Sequence, residues 1–321
     1  MIATRRDRVD LVNEIAMRRE NLNKRKVKKT PTVKWLFPVP VSRQYQRILD
    51  RHVENMIALT IQIVVNNLES LTAQRDLEFP ELLKTDAFEE SADRVINSLQ
   101  LGIASQPLGK VLTAEEIGQE TSVWNDAQWQ KTMKNVMGVA IFQQEPWLGP
   151  VLNGFTKENV QLITKLEQDY LADVSGIVQR GLRQGDSHRT IATRLLGDAR
   201  LASGLRSGIV QFEQRGKKFP IKGKDLASKT KNRAKLIARD QVSKLNGQLT
   251  KLRETNLGIQ KYTWRTAQDE RVRPTHRANN GKVFNWDESP ANTGHPGDDV
   301  QCRCHAEPIF DDIIEGILQN G

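Results

Sequence analysis

Apolar residues recur at steps of three and four from Tyr45 through Ile48, Leu49, Val53, Met56, Ile57, Ile61, Val64, Leu68 and Leu71, which predicts one long amphipathic helix. Leu59, Ile63 and Val65 lie off that stripe. Such breadth fits either docking on a partner protein or burial in a large helical core. Further helical pieces are expected over 73–142, among them one near Ala114 to Ile141 carrying Trp124 and Trp129, with breaks at Gln106 to Gly109 and Glu145 to Pro150. A clearer helix follows through Val160, Ile163, Leu166, Tyr170, Val174, Ile177, Val178 and Leu182. Thr156 and Asn159 make an imperfect capping box ahead of it. Gly185-Asp186-Ser187 ends it and caps the next helix, with Ile191, Leu195 and Leu196. After a polar, basic connector over 213–230, another helix is expected from about Arg233 to Thr255, with Ile237, Val242, Leu245, Leu249 and Leu252 inward.

At Gly258 the period changes. Ile259, Tyr262 and Trp264, and later Lys282-Val283-Phe284, are strand-like, separated by Arg273-Pro274 and the tight-turn sequence Asn279-Asn280-Gly281. The end of the chain, Phe310 to Leu318, could return as helix or strand. The expected fold is therefore mainly α-helical with a small α+β C-terminal cap. Four consecutive segments are expected: a basic arm over 1–30, a helical region suited to partner docking over 31–150, a second helical domain over 151–257, and a β-rich Cys/His cap over 258–321.

Composition narrows this picture. A chain of 321 residues, 38% hydrophobic and 27% charged, with a mean hydropathy of −0.55, can bury one large or two ordinary cores. Its longest strongly apolar stretch, Met56 to Val65, is interrupted by Thr60 and Gln62 and is far short of the roughly 20 residues a bilayer requires, so no membrane span is expected. Arg5, Arg6, Asp7 and Arg8 open the chain without an apolar signal region, so secretion is not expected.

The formal charge of +9 is unevenly spread: residues 1–30 hold ten Lys/Arg against four Asp/Glu, concentrated in Lys24, Arg25, Lys26, Lys28 and Lys29. A polycationic arm gains affinity for double-stranded DNA or RNA by releasing counterions, with no base contact needed. It could equally be a solvated leader or dock on an acidic protein. A second basic block runs from Arg215 to Lys235 with one acid, Asp225.

The candidate chemistry is concentrated in the cap. Tyr262 to Phe310 holds both cysteines and three of the five histidines; the others are His52, expected at the surface or an interface, and His188, expected exposed at a helix start. Cysteines one residue apart do not suit an ordinary disulfide framework, and a reducing compartment is expected. Cys302 and Cys304 with His276, and His305, Asp269 or His295 as fourth ligand, would suit zinc. Alternatively Asp269, Arg273, His276 and the cysteines form a metal-free cluster that staples loop to strand, with Asp269 paired to Arg271 or Arg273. A third reading, a metal-dependent nuclease or hydrolase, would use His276, Asn280, His295, Asp298 and His305, though their spacing departs from that of ββα-metal nucleases. Phosphate-loop, His-Glu-x-x-His and Gly-x-Ser-x-Gly signatures are absent. Trp35, Trp124, Trp129 and Trp147 are expected as core or interface anchors.

Phe155 to Asn159, Gly185-Asp186-Ser187, Arg239-Asp240-Gln241, Trp264, Asp269, Arg271, Arg273-Pro274, His276, Gly281, Phe284, Pro296 and Cys302-Arg303-Cys304 together resemble the phage head morphogenesis family, whose members are similar to the Mu F protein and the SPP1 minor head protein. The resemblance covers about 155–310 and departs at Arg239-Asp240-Gln241, where relatives often have an Arg-Thr-Glu-like run. It implies a non-enzymatic, low-copy minor capsid component of a tailed-phage virion, present in the host cytoplasm during assembly. It also implies association with the portal protein, and with major capsid or scaffolding protein as further partners. Some relatives contact DNA. The cap would be fixed by Trp264, Asp269, Arg273, His276, Gly281, Cys302 and Cys304.

Overall fold

The computed structural model describes residues 35–78, 86–106, 109–137, 144–197 and 226–310. The basic arm, the stretch Arg215 to Lys224 and the segment beyond Phe310 lie outside them. The helices are α1 (Val39–Leu59), α2 (Leu68–Glu78), α3 (Asp86–Ala104), α4 (Lys110–Met137), α5 (Leu148–Arg183), α6 (His188–Leu196), α7 (Leu226–Asn256) and the short α8 (Pro274–Asn279). A small sheet joins β1 (Lys261–Arg265), β2 (Val283–Asn285) and β3 (His305–Pro308). The fold is thus mainly helical with a small antiparallel sheet toward the C-terminus. The described residues of Met1–Gln44, Val111–Asn159 and Ala238–Gly321 form one compact unit, and those of Tyr45–Lys110 and Val160–Ile237 another. Each unit draws on separated stretches of chain.

In the unit containing Tyr45–Lys110, the stripe Tyr45, Leu49, Val53 and Met56 is buried on α1 as its period predicts. A π-helical turn at Thr60–Val64 and a 3₁₀ turn at Val65–Asn67 then link α1 to α2. A π turn takes more residues per turn than an α turn, and through it the stripe stays buried as Ile61, Val64 and Leu68, joined by Val65. The off-stripe residues have an internal use: Leu59 and Ile63 pack where Gly102 of α3 presents no side chain, and a Cβ there would stand 3.2 Å from Ile63. The run Val39–Leu77 is long and apolar enough by length and composition to cross a membrane, which an uninterrupted apolar count misses. Its apolar stripe is, however, buried within the protein, as in any core helix.

His52 corrects an expectation. It is 2% exposed and bonds Glu167 at 2.8 Å, while Lys110 Nζ reaches the other oxygen of that carboxylate at 2.5 Å. Burial alone would raise the Glu167 pKa, but the bonds and charges of His52 and Lys110 outweigh it and hold the carboxyl low. Thr156 is another correction. The helix expected to start there begins at Leu148, because Pro150 sits in the first turn, where a missing N–H costs nothing. The far end behaves as read: Gly185 adopts φ +71°, and the Ser187 hydroxyl accepts from Thr190 N. Buried Arg75 donates to Asp186 O at 2.8 Å, satisfying backbone just past α5.

In the other unit, α4 turns Ala114, Ile117, Asn125, Trp129 and Met133 inward, and α7 does the same with Ala238, Val242, Leu245 and Leu249. Arg253 is buried among them. It holds Glu145 through two bonds of 2.6 and 3.0 Å and the Asn125 carbonyl at 2.5 Å, so its charge is paired and its donors used. Gly258, at φ +87°, ends α7 and turns the chain into the sheet, whose order is β2-β1-β3. Tyr262, Trp264, Trp286 and Ala306 make its core, with Phe284 and Cys304 packed alongside.

Candidate metal centre

Three features of the sequence bring the cap's reactive groups together. Pro274 starts α8 at a position where proline suits a helix, and the one turn that follows buries His276 while Thr275 and Arg277 stay exposed. Gly281, at φ +83°, returns the chain toward β1 and donates to Trp264 O at 2.8 Å. The loop ahead of β3 is pinned to α7: Asp240 Oδ1 accepts from Gln301 N at 2.9 Å, the Ser243 hydroxyl donates to Cys302 O, and Gly247 lets Pro296 approach so closely that a Cβ would lie 2.5 Å from its carbonyl oxygen.

His276 Nδ1 consequently faces Cys304 Sγ at 3.4 Å and Cys302 Sγ at 3.6 Å, and the three groups lie within 4.8 Å of one another. On the other side of the ring, Nε2 meets Asp299 Oδ2 at 3.0 Å, and Arg273 binds the same carboxylate. The Trp264 ring stands edge-on to the imidazole at 5.5 Å. The environment is strongly perturbed. The Cys304 thiol, and after it His276, hold Cys302 well below the usual thiol range against the effect of burial, while Cys304 is pushed up by its pairing with Cys302. The bond to Cys302, then the bond to Asp299, raises His276. The three directions belong to the hydrogen-bonded group as a whole rather than to any one of its members.

A tetrahedral metal with zinc's usual bond lengths places a nitrogen and a sulfur ligand about 3.6 Å apart, which the two N–S distances match. A carboxylate on the far nitrogen is the ordinary support of a metal-bound imidazole, since it fixes the tautomer and leaves the near nitrogen's lone pair free. His276, Cys302 and Cys304 would supply three of the four ligands a tetrahedral zinc takes, and no fourth such side chain converges with them among the described residues. The other named candidates stand elsewhere. Asp269 is forked by Arg303 at 2.6 and 2.7 Å rather than paired to Arg271 or Arg273. His295 Nδ1 bonds the Tyr262 hydroxyl at 2.9 Å. His305, a candidate fourth ligand, sits on β3 opposite Arg265 and is not among the converging groups. Asn280 accepts from Thr266 N, and Asp298 accepts from His295 N. The set expected for a nuclease is thereby divided among separate environments.

Asp299 and Ser243 carry no motif of their own in the sequence, and Asp240 is marked there only as part of Arg239-Asp240-Gln241. The signal for Asp299 lies in the adjacent acids Asp298-Asp299, three residues before Cys302, and that for Asp240 in the run Arg239-Asp240-Gln241. Every element just described, from the second half of α5 to β3, falls in one stretch.

Residues 172–307 match the family model of Phage Mu protein F like protein. That segment supports the resemblance to the phage head morphogenesis family and contains the whole His276/Cys302/Cys304 cluster. The chain is also 33% identical over 199 residues to an uncharacterized protein of Haemophilus influenzae, an alignment covering 61% of this chain and 38% of that protein. No solved structure matches. The matched segment runs from the second half of α5 to β3.

Proposed function

We propose that this chain is a minor head protein of a tailed phage, acting in procapsid assembly at the portal vertex and residing in the head interior. The observation that carries this reading is the Mu F-like match over 172–307, which spans helix, sheet and cluster together. Portal protein is the proposed principal partner, with major capsid or scaffolding protein as further contacts. The basic arm with Lys24, Arg25, Lys26, Lys28 and Lys29 would contact packaged double-stranded DNA through phosphate charge alone. The cap is a rigid terminal module in this scheme, and a zinc ion held by His276, Cys302 and Cys304 would tie α8 to the loop ahead of β3. No catalytic step is assigned to it.

Co-expression with the portal protein of the same phage tests the docking. The tagged chain is expected to carry portal oligomers through affinity and size-exclusion steps at moderate salt. Separate elution of two well-folded proteins would contradict portal association.

A further inference from the structure

The His276/Cys302/Cys304 cluster forms one wall of a pocket of about 160 Å³, and Arg239, Arg271, Arg273 and Arg303 line the rest of it. Four guanidinium groups around one small cavity are a costly arrangement, since like charges repel and a partly dry wall screens them poorly. Among the described residues, two carboxylates offset them, together with the lowered Cys302 thiol on the same wall. Asp299 is taken by Arg273 and His276, and Asp269 by Arg303. Among the described residues, the guanidinium groups of Arg239 and Arg271 have no hydrogen-bond or ion-pair partner of their own, although Asp269 attracts both at longer range. Burial, then Arg303 and Arg271, pull Arg239 below its usual range, so it pays for its position rather than gaining from it. Arg239 occupies that position because its neighbour Asp240 anchors Gln301, one residue from Cys302.

We infer that this pocket is a binding site for a phosphate group, gripped by Arg239 and Arg271 with Arg303 and Arg273 at its rim. Two unmatched positive charges suit a phosphate dianion better than a single carboxylate, and the planar guanidinium fork pairs with phosphate oxygens two at a time. The cavity exceeds the roughly 30 Å³ that one water occupies in the liquid, leaving room for a tetrahedral oxyanion. The phosphate could be free or part of a nucleic-acid strand; both present the same oxygens to the same forks. The site does not depend on head assembly and is read on the purified chain.

Calorimetric titration of the full chain with Lys24, Arg25, Lys26, Lys28 and Lys29 all changed to Gln, using inorganic phosphate and separately a short duplex oligonucleotide, tests the pocket apart from the basic arm. At least one probe should bind saturably. Arg239→Gln and Arg271→Gln should each weaken that binding about tenfold or more, whereas Arg277→Gln, which removes an exposed charge from α8 outside the pocket, should leave it unchanged. Competition between the probes identifies a strand phosphate as the ligand, and phosphate binding alone identifies a free one. Arg239→Gln should also melt no lower than the parent without phosphate, since it relieves repulsion, which separates lost binding from lost folding. Saturable binding of neither probe, or binding that both pocket variants leave intact, would overturn the inference.

Discussion

The two ring nitrogens of His276 have different duties: one faces two sulfurs, the other is fixed by Asp299. That asymmetry is what a metal ligand requires, and a metal-free staple of hydrogen bonds and ion pairs would share it, so metal analysis decides between them. Protein prepared in zinc-sufficient medium should contain about one zinc per chain, and Cys302→Ser should lose it. A chelator should lower the melting temperature of the parent by several degrees and leave Cys302→Ser unmoved, as scanning calorimetry with metal analysis would show. Zinc-free parent indifferent to chelator would leave the cluster as hydrogen bonds alone. The convergence of these three residues was legible in the sequence, because so few Cys and His side chains crowd into one stretch. The partners of Asp269 and Arg273 were not: charge pairing was read from near neighbours, whereas Arg303 and Asp299 reach them across 34 and 26 positions. Only the loop's path, set by Gly281 and by the anchors on α7, decides those pairs.

Among the elements, α7 carries an unusual burden at its C-terminal end. Glu254 is fully buried, and its Oε2 accepts from Trp286 Nε1 at 2.7 Å. Burial raises its pKa well above the ordinary 4.5, only partly opposed by that bond. A folded-state pKa above the unfolded one contributes stability that is complete below about pH 4.5 and is lost as pH rises through the folded value. Glu254→Gln keeps an acceptor for Trp286 and removes that loss. Thermal melts should therefore show a smaller fall between pH 4.5 and 8 for the variant, and a midpoint at pH 8 at least about 2 °C above the parent's. A midpoint lower at pH 8, with the fall unchanged, would mean the carboxylate is ionised and useful. Long helices were legible from their 3.6 period, and the switch to strands at Gly258 from its loss. The π turn, the true start of α5 and the single-turn α8 were not. Each depends on packing or on a proline tolerated in a first turn, neither of which leaves a periodic trace.

At the scale of the whole molecule, the chain is +9 with its excess toward the N-terminus, and residues 172–307 match the Mu F-like model. The vertex position and the DNA contact are proposals built on these two facts. The two compact units could not be read from composition because each is assembled from separated stretches of chain. Function was legible only where the cap's motif is dense. The most direct test is quantitative mass spectrometry of purified mature particles, with this chain counted against the portal protein. The account predicts retention at a few copies per portal ring; particles devoid of the chain, with all of it free in the lysed host, would contradict it.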